Sequence, residues 1–373
     1  MAEKFVSPHF RDMDVDDVDV DDVVDDVDKD VDDVDNTRDP RDPRDPRNPR
    51  NPMGGGDGAG ADAGGGGPDM RSSEVVPVDK ADKTCAPGKI FEDGSCIPLI
   101  VLVAMAEAYN AEGPEVPIKL YPSFETLNRS KYKKYLVREF GRRFSGVCTT
   151  QHCWTKQAFV ARMKRNLQDD LHKKTFRPSG PQGKWEWLNT ININDVVRQY
   201  ENKYTDFKFL GAVPIDFDDL PVLKIRDLDL KALMASGKTK IGVVFNLDES
   251  YKSGSHWVAM YADLKAGRVY YFDSYGLPPE GRIRKFMRRV ATFCQRDLSL
   301  VDVVAEHNKI RHQFGGSECG VYSINFILRL LRGDSFQQIC ESRVPDKVIN
   351  QCRRVYFKPE NQSSRAVSPS GRR

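Results

Sequence analysis

The sequence predicts an α+β chain in which a strand-rich middle is flanked by helices and preceded by a separate acidic arm. Three observations carry this expectation. Short segments rich in Val, Ile, Phe and Tyr gather between about residues 205 and 305. Apolar residues recur at helical spacing before and after them. Charge is also split along the chain: residues 1–69 hold 8 Lys and Arg against 21 Asp and Glu, a net −13. The remaining residues hold 49 against 34, a net +15, so the formal total of +2 hides an acidic arm on a basic body.

The arm opens with an Asp/Val run over residues 12–35, where a strand would stack like charges, so disorder is expected. Arg-Asp-Pro then repeats over residues 38–46, a pattern that favours an extended polyproline rod. Residues 54–67 are Gly-rich, which fits a flexible tether, and their glycine runs raise the idea that the chain clips its own arm. The expected boundaries are a disordered tail at 1–84, a helical N-terminal extension at 85–180, a core at 181–357 and a flexible end at 358–373.

Within the extension, Cys85 to Cys96 reads as a turn-rich entry, followed by an apolar helix to about Tyr109. Leu127, Tyr132, Leu136 and Phe140 place a basic amphipathic helix over residues 124–143. A second basic helix is expected over residues 150–174. Trp187-Leu188-Asn189 then precedes a helix with Val196, Val197 and Tyr200 on one side. The predicted strands are 207–213, 240–247, 257–263, 268–273 and 300–305, with helices at 279–295 and 319–332.

Several function classes fall away on composition. The most apolar run, residues 97–106, is about half the length a bilayer crossing needs, and the first residues lack the apolar core of a secretory signal. The chain is therefore expected to be neither secreted nor transmembrane. Eight cysteines without such a signal are expected to be reduced thiols, with a Cys85–Cys96 hairpin disulfide as the secondary reading. Cys148, His152 and Cys153 lack paired ligand spacing, so no metal and no cofactor is expected, and packing around Trp154 explains them better. The basic helices near 129–143, 161–177 and 282–289 are a solvated face first and a candidate DNA-binding surface second.

Thiol-based peptide hydrolysis needs a nucleophile, a base, a group to orient the base, and donors for the oxyanion. Cys319 follows a glycine-containing loop and starts an apolar helix, where the helix dipole and free N–H groups favour a thiolate. His256 begins one strand and Asp273 ends the next, so an antiparallel hairpin brings imidazole and carboxylate together. Gln313, six residues before Cys319, offers a side-chain amide to an oxyanion. Each residue alone has a bland structural reading; the set is harder to explain that way.

His256-Trp257, Phe272-Asp273-Ser274, Gln313 and Cys319-Gly320-Val321-Tyr322 together resemble the active-site series of the Ulp1/SENP peptidase family. Trp187-Leu188-Asn189 is similar to that family's upstream motif, although Thr190 stands where the family usually continues with Asp. A narrower likeness, through Cys148-Thr-Thr-Gln-His152-Cys153-Trp154 and the 195–217 segment, is to thiol proteases of large nucleocytoplasmic DNA viruses. The resemblance covers roughly residues 85–357 and implies a papain-like cysteine peptidase core. It also implies a protein substrate cut after Gly-Gly, with Trp187 and Trp257 narrowing the channel so that only residues without a Cβ pass. In the viral relatives the substrates are structural polyproteins, which would place the chain in the virion and the host cytoplasm. Release of a ubiquitin-like modifier is the rival within catalysis, and an inactive DNA-binding or scaffold protein is the rival outside it.

Overall fold

The computed structural model describes residues 9–10, 84–121, 128–182 and 186–358. The Asp/Val run, the Arg-Asp-Pro repeats, the Gly-rich segment, Leu127 and residues 359–373 lie outside the described residues. Six strands form one sheet: β1 (His9–Phe10), β2 (Phe207–Pro214), β3 (Lys240–Asn246), β4 (Trp257–Asp263), β5 (Arg268–Phe272) and β6 (Val304–His307), in the order β1-β6-β5-β4-β3-β2. The β3–β4 and β4–β5 pairs are antiparallel, and the outer pairs are parallel.

Strand side chains alternate between two cores. Val244, Ala259, Tyr261 and Phe272 face one hydrophobic cluster, while Val243, Phe245, Val258, Met260 and Tyr271 face the other. Central strands sealed on both faces read as near-continuous apolar runs, which is why they were legible as strands without strict alternation. Five principal helices are α1 (Leu99–Asn110), α2 (Arg129–Phe144), α3 (Thr190–Gln199), α4 (Gly281–Arg296) and α5 (Cys319–Arg332). Helices α3 and α5 cover the first face and α4 covers the second. Helix α5 is buried along its whole length except its final Arg332, so it forms the spine of the core beneath β4.

The extension has its own cluster, built from Leu102, Leu136, Phe140, Trp154 and Phe159 among others. Two expectations need correction here. Residues 150–174 are not one helix: short helical turns at Gln151–Trp154 and Ala158–Arg162 precede a helix at Arg165–Lys174. Phe159 and Val160 turn inward to the cluster, and that packing outweighs continuous helical pairing. Nor are all cysteines reduced. Cys85–Cys96 and Cys148–Cys153 form disulfides, each pair having Cα atoms 5.4 Å apart, while Cys294, Cys319, Cys340 and Cys352 are free and buried. The Cys85–Cys96 bridge matches the secondary reading of the sequence, whereas the Cys148–Cys153 bridge was not anticipated from its spacing.

Extension and core meet along the last described residues. Lys358 N–H donates to Pro178 O at 3.0 Å, and Arg177 donates to Val355 O. Gln199 donates to Phe176 O at 2.8 Å from the core side. Among the described residues, no helix is long and apolar enough to cross a membrane.

Candidate active site

The β4–β5 hairpin does what its spacing predicted. Tight register from Asp263↔Arg268 to Ala259↔Phe272 brings the start of β4 beside the end of β5. His256, just before β4, places Nε2 2.7 Å from Asp273 Oδ1, just after β5. Both side chains are buried. An ionised carboxylate only accepts, so Nε2–H donates and Nδ1 is left for the thiol. Burial pulls the imidazole pKa down, but the Asp273 charge and hydrogen bond, with a further hydrogen bond and charge from Cys319, lift it to about 10. The sulfur thus lies near enough to the ring to bear on its charge. Tyr275 stacks on that ring with centroids 4.5 Å apart, and burial raises its own phenol pKa.

Asp273 is held from several directions. Its Oδ1 also accepts from Tyr275 N–H at 2.8 Å. Asn308, beyond β6, accepts from Asp273 N–H at 2.8 Å and donates to Asp273 O at 2.7 Å. The β5–β6 ladder ends at Tyr271↔His307, and the Asn308 amide supplies the next rung with its side chain. Gly276 follows at φ +76°, and a Cβ there would lie 2.9 Å from Lys309 O, so only glycine lets the two loops approach.

Cys319 is the first residue of α5 and is 3% exposed. Gly320 next to it lies against Leu188 and Trp257: a Cβ there would come within 3.1 Å of Leu188 Cβ. Trp257 is itself buried, and its indole N–H donates to Leu188 O at 2.8 Å. The two tryptophans are therefore unequal. Trp187 is 40% exposed, whereas Trp257 supports the 187–188 segment from below rather than standing as an open wall.

Gln313 is fully buried, with its Oε1 accepting from Ser274 Oγ–H at 2.6 Å and its Nε2 donating to Gly315 O at 2.9 Å. A flipped amide would set two oxygens against each other at Gly315, so the orientation is fixed and one Nε2 hydrogen remains. Ser274 O also accepts from the backbone N–H groups of His312 and Gln313. One turn, 273–275, therefore touches both the imidazole partner and the amide.

Sequence reasoning missed a second set that grips the loop before Cys319. Asp346 Oδ2 accepts from Phe314 N–H and Gly315 N–H, at 2.9 and 2.6 Å, and Oδ1 accepts from Tyr322 O–H at 2.9 Å. Arg353, fully buried, donates to Ser317 O at 3.1 Å and to Asn350 Oδ1 at 2.8 Å. Asn350 in turn donates to the buried Glu318 carboxylate at 2.9 Å. No periodicity marks these residues; Ser274, by contrast, lay inside a motif already singled out. Among the described residues, no group of three or more His, Cys, Asp or Glu is arranged to hold a metal ion.

A model of the Ulp1 protease family, C-terminal catalytic domain, matches residues 238–362, a span that includes His256, Asp273, Gln313 and Cys319. A thiol protease of Acanthamoeba polyphaga mimivirus is 39% identical over 282 residues, covering 74% of this chain and 92% of that protein. The chain belongs to the Ulp1 protease family. It is a cysteine-type peptidase with viral thiol proteases among its relatives. A protein named SUMO-1 cysteine protease in African swine fever virus is 27% identical to this peptidase over 246 residues, covering 61% of this chain and 89% of the relative. The crystal structure of the African swine fever virus protease aligns at 25% identity with a TM-score of 0.48, covering 61% of this chain and 90% of that one.

Proposed function

We propose that this peptidase is an endopeptidase that cuts after Gly-Gly in viral structural polyprotein precursors during virion maturation, using Cys319 as nucleophile. The observation that carries the reading is the His256 ring, bonded to Asp273 at 2.7 Å and neighbouring the Cys319 sulfur. His256 holds the proton it takes from Cys319 as an imidazolium, the thiolate left behind adds to the carbonyl carbon, and the ring then gives that proton to the leaving amine. Asp273 keeps Nε2 protonated and supports the imidazolium. The remaining Gln313 Nε2 hydrogen and the Cys319 backbone N–H receive the oxyanion. Water then adds to the thioester, with His256 taking its proton, and the thiol is regenerated. Exposed Trp187, carried on Trp257 and Leu188, forms the wall that admits only glycine.

The test pairs a Gly-Gly-X peptide with a Gly-Ala-X peptide, in wild type and in Cys319→Ala. Wild type is expected to prefer the first by at least about 100-fold, and Cys319→Ala to turn over neither. Equal cleavage of both peptides would remove the Gly-Gly assignment; cleavage by Cys319→Ala would remove the nucleophile. A second reading, release of a ubiquitin-like modifier, is favoured by the African swine fever virus relative, which is named a SUMO-1 cysteine protease. Faster cleavage of a SUMO conjugate than of virion precursors selects it. The basic body is also proposed to hold DNA, as the +15 charge outside residues 1–69 supports; a flat affinity between about 50 and 200 mM salt removes that reading.

A further inference from the structure

A row of rings and cations leads from the His256 imidazole to the surface. Tyr275 stacks on His256, and the Arg311 guanidinium lies 5.0 Å from the Tyr275 centroid and 4.8 Å from that of Phe314. The Arg343 guanidinium lies over the same Phe314 ring at 4.1 Å. Phe314 directly follows Gln313 and is 57% exposed, an unusual condition for a phenyl ring so firmly placed. Its position is fixed by the Asp346 bond to its backbone, and Arg311 Nε donates to Gln313 O at 2.7 Å. The stack therefore moves with the loop that carries Gln313.

Two positive charges at one exposed ring repel each other. Cation–π attraction to the ring holds each of them there. Among the described residues, neither Arg311 nor Arg343 forms an ion pair with a carboxylate. Asp346 supplies one nearby negative charge, but its oxygens are engaged by Phe314 N–H, Gly315 N–H and Tyr322 O–H. The surface is left with an excess of positive charge and with guanidinium forks whose geometry matches a carboxylate. The ring beneath offers an apolar floor for the methylenes of a Glu or Asp.

We infer that the Arg311–Phe314–Arg343 stack docks an acidic side chain of the protein substrate within a few residues of the cleaved bond. The inference rests on the proposed assignment of His256 and Gln313 to the reacting centre. It adds a charge preference that Gly-Gly recognition does not supply, because glycine presents no side chain to a cation.

The experiment uses the full chain and a peptide set with Gly-Gly fixed. One Glu is placed in turn at three positions before and three after that dipeptide, each paired with its Gln isostere. At one position Glu is expected to raise kcat/KM over Gln by about 5-fold in low salt. In Arg343→Ala that preference falls below about 2-fold, with cleavage of the all-Gln peptide unchanged. Arg343→Glu is expected to prefer Lys at the same position. No Glu-preferring position, or a preference that survives both substitutions, overturns the inference alone. If no Gly-Gly peptide is cut at all, the reading of the site fails and the inference falls with it.

Discussion

The bond from Ser274 Oγ to Gln313 Oε1, 2.6 Å long and closed to solvent, makes a quantitative prediction. Ser274→Ala deletes the donor and leaves a buried amide oxygen unpaired, which costs about 1–3 kcal/mol in general. The backbone bonds from His312 and Gln313 to Ser274 O survive the substitution, so the loop itself keeps its course. The loss then falls on the aim of the amide, and about 1–2 kcal/mol of it is expected in the transition state, or roughly 5- to 30-fold in kcat. Gln313→Ala is expected to cost on the order of 10²–10³. Because Ser274 acts through Gln313, the double variant should be no slower than Gln313→Ala alone. The assay is kcat at saturating Gly-Gly peptide, alongside the rate at which iodoacetamide alkylates Cys319, a reaction with no oxyanion. Alkylation should stay at the wild-type rate, and Ser274→Thr, which retains the hydroxyl, should restore turnover. An additive cycle, in which Ser274→Ala costs its full factor even without Gln313, refutes the reasoning.

Other expectations follow from the same geometry. Asn308→Ala removes both bonds to the Asp273 backbone and should lower kcat about 10-fold with KM unchanged, read by steady-state kinetics. His256, lifted to about 10, contributes stability that is complete below its unfolded pKa of about 6.5 and is lost as pH rises through 10. The stability gap between wild type and His256→Gln, measured by urea unfolding, should therefore be wider at pH 6 than at pH 10.5. His312 has the opposite sign: burial, ahead of any charge, lowers it to about 4, so its contribution drops as pH falls from about 6.5 toward 4, and acid unfolding should flatten in His312→Asn. Replacing Cys85 and Cys96 by serine opens a loop of sequence separation 11 and should cost about 2–3 kcal/mol in the extension, seen by calorimetry.

What could be read from the sequence was whatever depends on short-range order. His256 and Asp273 flank one hairpin, and the β4 span and the α5 start at Cys319 agree with the periodicity because both are regular elements with abrupt ends. The residues that immobilise them were not legible. Asn308 lies 35 residues from Asp273, and Arg353 lies 36 from Ser317. Each is a single polar side chain whose partner is a backbone group, which leaves no pattern along the chain. The break in residues 150–174 was hidden for a related reason: basic, helix-favouring composition masks an inward turn of Phe159 and Val160 that only the tertiary cluster demands.

The segment from residue 345 to Lys358 resembles a trailing end, yet Asp346, Asn350 and Arg353 within it brace the turn that feeds the nucleophile, while Lys358 is latched to Pro178. A shortened expression product ending at residue 344 would retain every residue assigned to chemistry and lose their scaffolding. Anyone trimming this peptidase for crystallisation, or fusing a reporter to it, should count its final helical turns as working parts and leave them untouched.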